Sequence, residues 1–424
     1  MKLIYVVIDG MGDRPIEELG NKTPLAAADT PNMGSLAEKG KTGLMYTVSK
    51  GLAPESDAAV VSILGYDPLK YDTSRGVIEA VGAGVAFKEG DLALRCNFAT
   101  FGPRGKIVDR RAGRDLTAED TAGFSKEINT GVKLTSHPAS FEFKNTSGHR
   151  AVLVIRGKGT CLSGRITNTD PAYTRVGGLG VVNLDAKMVV QKCEPLDDTE
   201  EAKISADLVN EFVEKSHEIL EKSSVNKRRL SKNKLSANGI LARDAGHLFP
   251  KFFNINERYG VKFCCLADMP AEIGISRLVG MNVVDLPLPS ANLAEDCKLR
   301  VRKLLSVLKS YDCFYIHIKG TDEPGHDGEY KLKTEMLTII DKYFFGDLLS
   351  KISLDESVFC VTADHATPCK LMAHSDDPVP LLISGGKIRG DGSKSFSEES
   401  CKTGSLGIIE HGSELMPRLM SFLK

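Results

Sequence analysis

No excess of one charge sign runs through this sequence. Its 55 lysines and arginines face 56 acids, for a formal net charge of -1 and a pI near 6.8. A chain so balanced gives no reason to expect nucleic-acid binding. No apolar run approaches the ~20 residues of a membrane span. The opening "MKLIYVVIDG" has only a short apolar stretch before an acid, with no long h-region or small-residue cleavage site. It reads as a first core strand rather than a signal peptide. The ten cysteines contain no CxxC pair and no repeated spacing, so neither a disulfide framework nor a structural zinc module is indicated. Several sit inside apolar runs ("KFCCLAD", "CFYIHI", "VFCVTA") as small buried hydrophobes, and a reducing cytoplasm is the expected compartment. The small-residue runs "VGAGV" and "GGLGVV" lack dinucleotide-binding or P-loop spacing, so no nucleotide is assigned. No internal repeat is visible.

What is present is an ordinary globular composition, 42% hydrophobic and 26% charged over 424 residues, long enough for two domains. Strand-like runs at 2–8, 261–267, 313–318 and 357–363 alternate with helical patterns at 32–40, 56–65, 293–310 and 330–352. Apolar strands alternating with helices predict an α/β fold, a mostly parallel sheet with helices on both faces. From about 87 to 235 the pattern changes to short strand candidates (91–101, 150–157, 181–190) and one long helix at 199–223, followed by the basic "SVNKRRLSKNK", read as a solvated linker. The expected organisation is one discontinuous domain, 1–85 and 236–424, interrupted by an inserted smaller α+β domain, 86–235.

Ligands of open parallel sheets bind beyond the carboxyl ends of the strands. There each strong apolar run is followed by chemistry: Asp9 after "LIYVVI", Asp322 and His326 in "KGTDEPGHDG", Asp364 and His365 in "DHATP", then His374 in "AHSDDPVP". One Asp ending a strand is commonly a turn former, and His317 inside "CFYIHI" reads as an interior histidine. His411 in "IIEHGSELMP" reads as preceding a helix, and His137, His149, His217 and His247 lack acidic partners at a suggestive spacing. The DxxxH loop differs, because it brings an acid and an imidazole together without burying a charge in the core. Three acids and three imidazoles suit two divalent ions, and mixed carboxylate and imidazole ligation suits zinc or manganese. Ser56 opens a helical pattern, where it reads equally as an N-cap or as a nucleophile at a helix N-terminus.

The motifs "VVIDGMGDRP", "KTPLAAADTPNMGSLAEKG", "PESDAAVVSILGYDP", "HIKGTDEPGHDG", "TADHATP" and "AHSDDPVPLLISG", in this order, resemble the archaeal-type 2,3-bisphosphoglycerate-independent phosphoglycerate mutases of the alkaline phosphatase superfamily. The resemblance covers essentially the whole chain, including "RCNFAT", "DRRAGRD" and "SGRITNTDP". It implies an alkaline-phosphatase-like fold and interconversion of 3-phosphoglycerate and 2-phosphoglycerate, in glycolysis and gluconeogenesis, without 2,3-bisphosphoglycerate. Two divalent metal ions are implied, manganese first, with zinc, cobalt and magnesium open. Ser56 matches the transiently phosphorylated serine. Asp9, Ser56, Asp364 and His365 match the ligands of one metal, and Asp322, His326 and His374 those of the other. Two departures, Gly34 where many relatives have Asp and the acid pair Asp376-Asp377 after His374, touch no matched ligand.

A phosphorylated three-carbon acid calls for cations that bind carboxylate and phosphate bidentately. Arg110, Arg111 and Arg114 in "DRRAGRD" are the foremost candidates, with Arg165, Arg243 and Arg277 beside them. The inserted domain would serve as the lid. The expected partner is phosphoglycerate alone, with no nucleic acid and no membrane, and a homo-oligomer left open. The rival readings are a metal-dependent phosphomonoesterase or phosphopentomutase-like enzyme and a non-catalytic binding protein.

Overall fold

The computed structural model describes residues 1–71, 74–176, 179–183 and 185–423. The chain divides into two compact units, an outer one of Met1–Tyr71, Phe252–Asp268 and Ile275–Lys424 and an inner one of Asp72–Lys251 and Met269–Gly274. The divisions fall at 71/72 and 251/252 rather than at 85/86 and 235/236. The strand Gly239–Gly246 pairs with Leu92–Phe101, so backbone hydrogen bonding places it in the inner unit.

An eight-stranded sheet organises the outer unit, in the order 282–283, 263–266, 313–318, 2–8, 357–362, 379–385, 41–45, 407–409. Strands 313–318 and 357–362 flank Lys2–Ile8, both parallel to it, whereas Val379–Gly385 runs antiparallel to both its neighbours. The sheet is therefore mixed. The runs "LIYVVI", "CFYIHI" and "SVFCVT" are buried along their whole length, as strands covered on both faces must be. Helix Pro31–Lys39 starts without a side-chain bond from Thr30. Its free N–H groups are met instead by buried Asp341, which accepts from Asn32 N and Met33 N at 3.1 and 2.7 Å. The long pattern at 330–352 is not one regular helix: Tyr330–Ile340 passes into a π-helical turn at Asp341–Gly346, and the turn carries this capping acid.

In the inner unit the antiparallel strands Leu92–Phe101, Ile107–Asp109, Ala139–Asn145, Arg150–Gly157 and Gly239–Gly246 form one sheet. Phe98, Phe124, Phe143 and Phe212 join that sheet to helices Ala118–Gly131 and Glu200–Glu221 in a shared core. The strand expected at 181–190 is limited to a hairpin of Tyr173–Val176 and Leu179–Val182. Gly177 and Gly178 of "GGLGVV" and Leu184 lie outside the described residues.

The basic stretch after the long helix is not a solvated linker. Ser223 caps a short helix, Ser224–Leu230, and Arg229 on it is 2% exposed. Its guanidinium reaches Asp120 Oδ2 at 3.1 Å, the Ala112 carbonyl at 3.3 Å and the Asp115 carbonyl at 3.4 Å. These carbonyls bracket Ala112, Gly113 and Arg114, which all have left-handed φ of 46°, 79° and 55°. The buried cation thus braces a turn that two of its three residues disfavour. All ten cysteines are free thiols, nine of them buried. No helix among the described residues is long and apolar enough to cross a membrane.

Candidate active site

The carboxyl ends of the three adjacent parallel strands 313–318, 2–8 and 357–362 deliver Asp322, Asp9 and Asp364 to one place. Gly10 makes the convergence possible. It has φ +62°, and a Cβ there would stand 2.8 Å from Asp322 Cα, a clash for any other residue. Two groups of ligand-type atoms result, Asp9, Asp364 and His365, all buried, and Asp322, His326 and His374, partly buried.

In the first group His365 Nε2 lies 3.5 Å from Asp9 Oδ1 and 3.3 Å from Asp364 Oδ2. In the second, His326 Nε2 and His374 Nε2 each lie 3.5 Å from Asp322 Oδ1. Ligands about 2.1 Å from one tetrahedral ion stand roughly 3.4 Å from one another. Asp9 Oδ1 and Asp364 Oδ2 are buried without a hydrogen-bond partner, an unfavourable state that a cation relieves. The imidazoles are oriented to match. His374 Nδ1 donates to the Pro54 carbonyl at 2.8 Å and His326 Nδ1 to the Met372 carbonyl at 3.1 Å, leaving each Nε2 facing Asp322. The residues therefore fit two divalent cations.

The buried acids and imidazoles shift one another's ionisation strongly. Burial opposes ionisation of Asp9, but Lys319, His317 and His365 outweigh it and hold the carboxyl well below its usual range. Burial and then the Asp9 charge push Asp364 up to about 7. Burial and the neighbouring His374 bring His365 down to about 3, so its imidazole is neutral, the form that binds metal. Burial opposes charge on His374 too, yet Asp322 lifts it to about 9.

Ser56 is the first helical residue of Ser56–Ile63. The cap position belongs to Glu55, whose side chain makes no capping bond, so the simple N-cap reading does not describe it. Its Oγ stands 3.1 Å from His365 Nε2, beside the first group.

Arg110, Arg111 and Arg114 line one open groove of about 440 Å³ in the inner unit, together with Asp109 and Gly113. Arg110 grips buried Asp170 with both arms of its fork, at 3.0 and 2.6 Å, and Arg243 reaches the same carboxylate at 3.0 Å. Burial and the neighbouring Arg114 disfavour the charge on Arg111, a strain that an arriving anion relieves. Arg165 stands apart, exposed and paired with Asp197 at 2.9 Å. Arg277 is exposed in the last turn of the helix Pro270–Leu278.

A family model described as 2,3-bisphosphoglycerate-independent phosphoglycerate mutase matches residues 37–226. A protein of that name from Aeropyrum pernix is 40% identical over 427 residues, covering 100% of both chains. The chain belongs to the 2,3-bisphosphoglycerate-independent phosphoglycerate mutases. The mutase of Thermococcus kodakarensis is 38% identical over 422 residues, covering 100% of this chain and 97% of the other. Two solved structures are similar at 32% identity. One is the PH0037 protein of Pyrococcus horikoshii, with TM-score 0.76, covering 100% of this chain and 97% of that one. The other is the cofactor-independent phosphoglycerate mutase of Thermoplasma acidophilum, with TM-score 0.63, covering 100% of both chains.

Several residues of this phosphoglycerate mutase family member escape a motif-based reading. Lys319 Nζ lies 3.0 Å from Asp9 Oδ2; its signal was its place in "HIKGTD", between a buried strand and the DxxxH loop. His317 is interior, as read, yet its Nε2 is 3.9 Å from Asp9 Oδ1 and 3.8 Å from Asp364 Oδ2. In the inner unit, burial and then Arg150, Arg111, Arg243 and Arg114 bring His149 down to about 3, so a neutral imidazole stands among arginines.

Proposed function

We propose that this chain is an isomerase that interconverts 3-phosphoglycerate and 2-phosphoglycerate by intramolecular phosphoryl transfer through phosphoserine at Ser56, a step of glycolysis and gluconeogenesis. The observation that carries this reading is the meeting of two acid-and-imidazole groups at three strand ends, with the Ser56 hydroxyl beside one of them. Asp9, Ser56, Asp364 and His365 would hold one divalent ion and Asp322, His326 and His374 the other, manganese being the first choice and zinc, cobalt and magnesium the alternatives. Such a pair supplies positive charge that lowers the pKa of the serine hydroxyl and neutralises the phosphoryl oxygens.

The chain's own groups do the rest. Ser56 Oγ loses its proton and bonds to phosphorus as the ester oxygen of the substrate departs and takes up a proton. The glycerate then turns, and its other hydroxyl attacks the phosphoserine and regenerates Ser56. The outer unit carries the phosphoryl transfer. Arg110, Arg111, Arg114 and Arg243 are the residues assigned to binding the anionic glycerate. Arg165 and Arg277 are further candidates. Retention of glycerate separates a mutase from a phosphatase, because water reaching the phosphoserine releases phosphate.

Phosphorus NMR on 3-phosphoglycerate, with the metal-reconstituted chain and no added bisphosphate, tests the reading. The 2-phosphoglycerate signal grows to equilibrium while free phosphate stays at baseline. Accumulating phosphate identifies a phosphomonoesterase instead, and turnover of pentose phosphates alone a phosphopentomutase-like enzyme.

The arginines are separable by kinetics. Arg111→Ala raises KM roughly tenfold or more, the cost of a lost charged hydrogen bond, while Arg165→Ala stays within about twofold because Arg165 is an exposed side chain already paired with Asp197. Equal effects in steady-state assays count against the groove as the binding surface.

A further inference from the structure

Between the two ligand groups stands Thr367, a residue that neither motif reading nor family membership assigns. It is 0% exposed. Its Oγ1 donates to Asp322 Oδ1 at 2.6 Å and lies 3.0 Å from His365 Nδ1. A threonine hydroxyl has one proton. With that proton on Asp322, the bond to His365 requires Nδ1–H as donor and Oγ1 as acceptor. The tautomer of His365 is then fixed, and the Nε2 lone pair is the one left facing Asp9, Asp364 and Ser56. A single hydroxyl thus touches one ligand of each group.

Thr367 is held in place from several sides. Its N–H donates to the Gly12 carbonyl at 3.0 Å. Its own carbonyl accepts from Lys333 Nζ at 2.9 Å, and the same ammonium binds the Gly12 carbonyl at 3.1 Å and Asp13 Oδ2 at 2.9 Å. Gly325, on the helix that begins with Asp322, packs so closely that a Cβ there would lie 2.5 Å from the Thr367 carbonyl and 2.9 Å from its Cγ2. Hydroxyl, main chain and methyl are all fixed, so the hydroxyl cannot swing to serve one group alone.

We propose that Thr367 is a positioning residue that couples the two metal groups, so that the ions bind as a linked pair rather than independently. This rests on the reading of those groups as metal sites. An ion drawn to His365 Nε2 strengthens the Nδ1–H bond to Oγ1, and a hydroxyl so engaged is a better donor to Asp322. Partners behind metal ligands typically change affinity by about 10–100-fold.

The test is calorimetric titration of the metal-free full-length chain with Mn²⁺, comparing wild type, Thr367→Val and Thr367→Ser. Valine keeps the shape and removes the hydroxyl; serine keeps the hydroxyl and removes the methyl. The expected result is linked binding of two ions in wild type and in Thr367→Ser, and weaker binding by roughly tenfold or more, in two separate steps, in Thr367→Val. ¹⁵N-histidine NMR of the metal-free wild type, which needs no variant, shows the His365 proton on Nδ1. Valine titrating like wild type, serine failing as valine does, or a proton on Nε2 overturns the proposal while leaving the metal reading standing. A wild type that takes up no Mn²⁺ overturns both.

Discussion

Ser56→Ala is expected to lower turnover of 3-phosphoglycerate by roughly 10⁴-fold or more, since removing a nucleophile removes the covalent route itself. Stability should change by no more than about 0.5 kcal/mol, because Ser56 does not fill the capping position and Glu55 does. Metal uptake should persist, since Asp9, Asp364 and His365 remain. Labelling with ³²P-phosphoglycerate followed by acid quench should trap phosphoprotein in wild type and none in the variant. A fully active variant, or one that labels like wild type, places the covalent chemistry elsewhere.

The second large effect concerns folding. Lys333 is 0% exposed and its ammonium meets three acceptors, Gly12 O, Asp13 Oδ2 and Thr367 O. Asp13 is no less committed, for its carboxylate also accepts from Cys369 N at 3.2 Å. Lys333→Met removes one partner of a buried pair, leaving the Asp13 carboxylate without its counter-charge and taking a hydrogen bond from each of two carbonyls, at about 3–5 kcal/mol. At about 2–4 °C per kcal/mol for a unit of this size, the melting temperature should fall by roughly 6–20 °C. The double variant Asp13→Asn with Lys333→Met should recover part of the loss, because the orphaned charge goes with its partner. A calorimetric scan showing Lys333→Met within about 1 °C of wild type removes the pair from the list of structural determinants.

Lys333 also shows where sequence reading stops. It lies in a helical pattern, where a lysine counts as part of a solvated face, and its acceptors are more than 30 residues away in one direction and about 320 in the other. Arg229 was hidden in the same way by its basic neighbours, though its burial depends on Asp115 and Asp120, over 100 residues earlier. Periodicity reports which face of an element is apolar; it does not report which distant acid will meet a cation on the other face. The acids were legible because short buried strands announce themselves, and the chemistry follows at their carboxyl ends. Asp9, Asp322 and Asp364 are each one to four residues past such a run. Thr367 and Lys319 lie in those same loops, but a single hydroxyl or ammonium carries no signature until the partner atoms are in place.

The contact of Gly10 with Asp322 has one more consequence. With no room for a Cβ between them, the separation of two acid-bearing strand ends is set by backbone touching backbone, as a spacer fixes the gap between electrodes. Substitutions among the ligands can then alter which ion is preferred at either position while leaving the distance between the positions unchanged. Widening that distance would take a residue larger than glycine at position 10, and with it a displacement of Asp322 away from the end of the central strand.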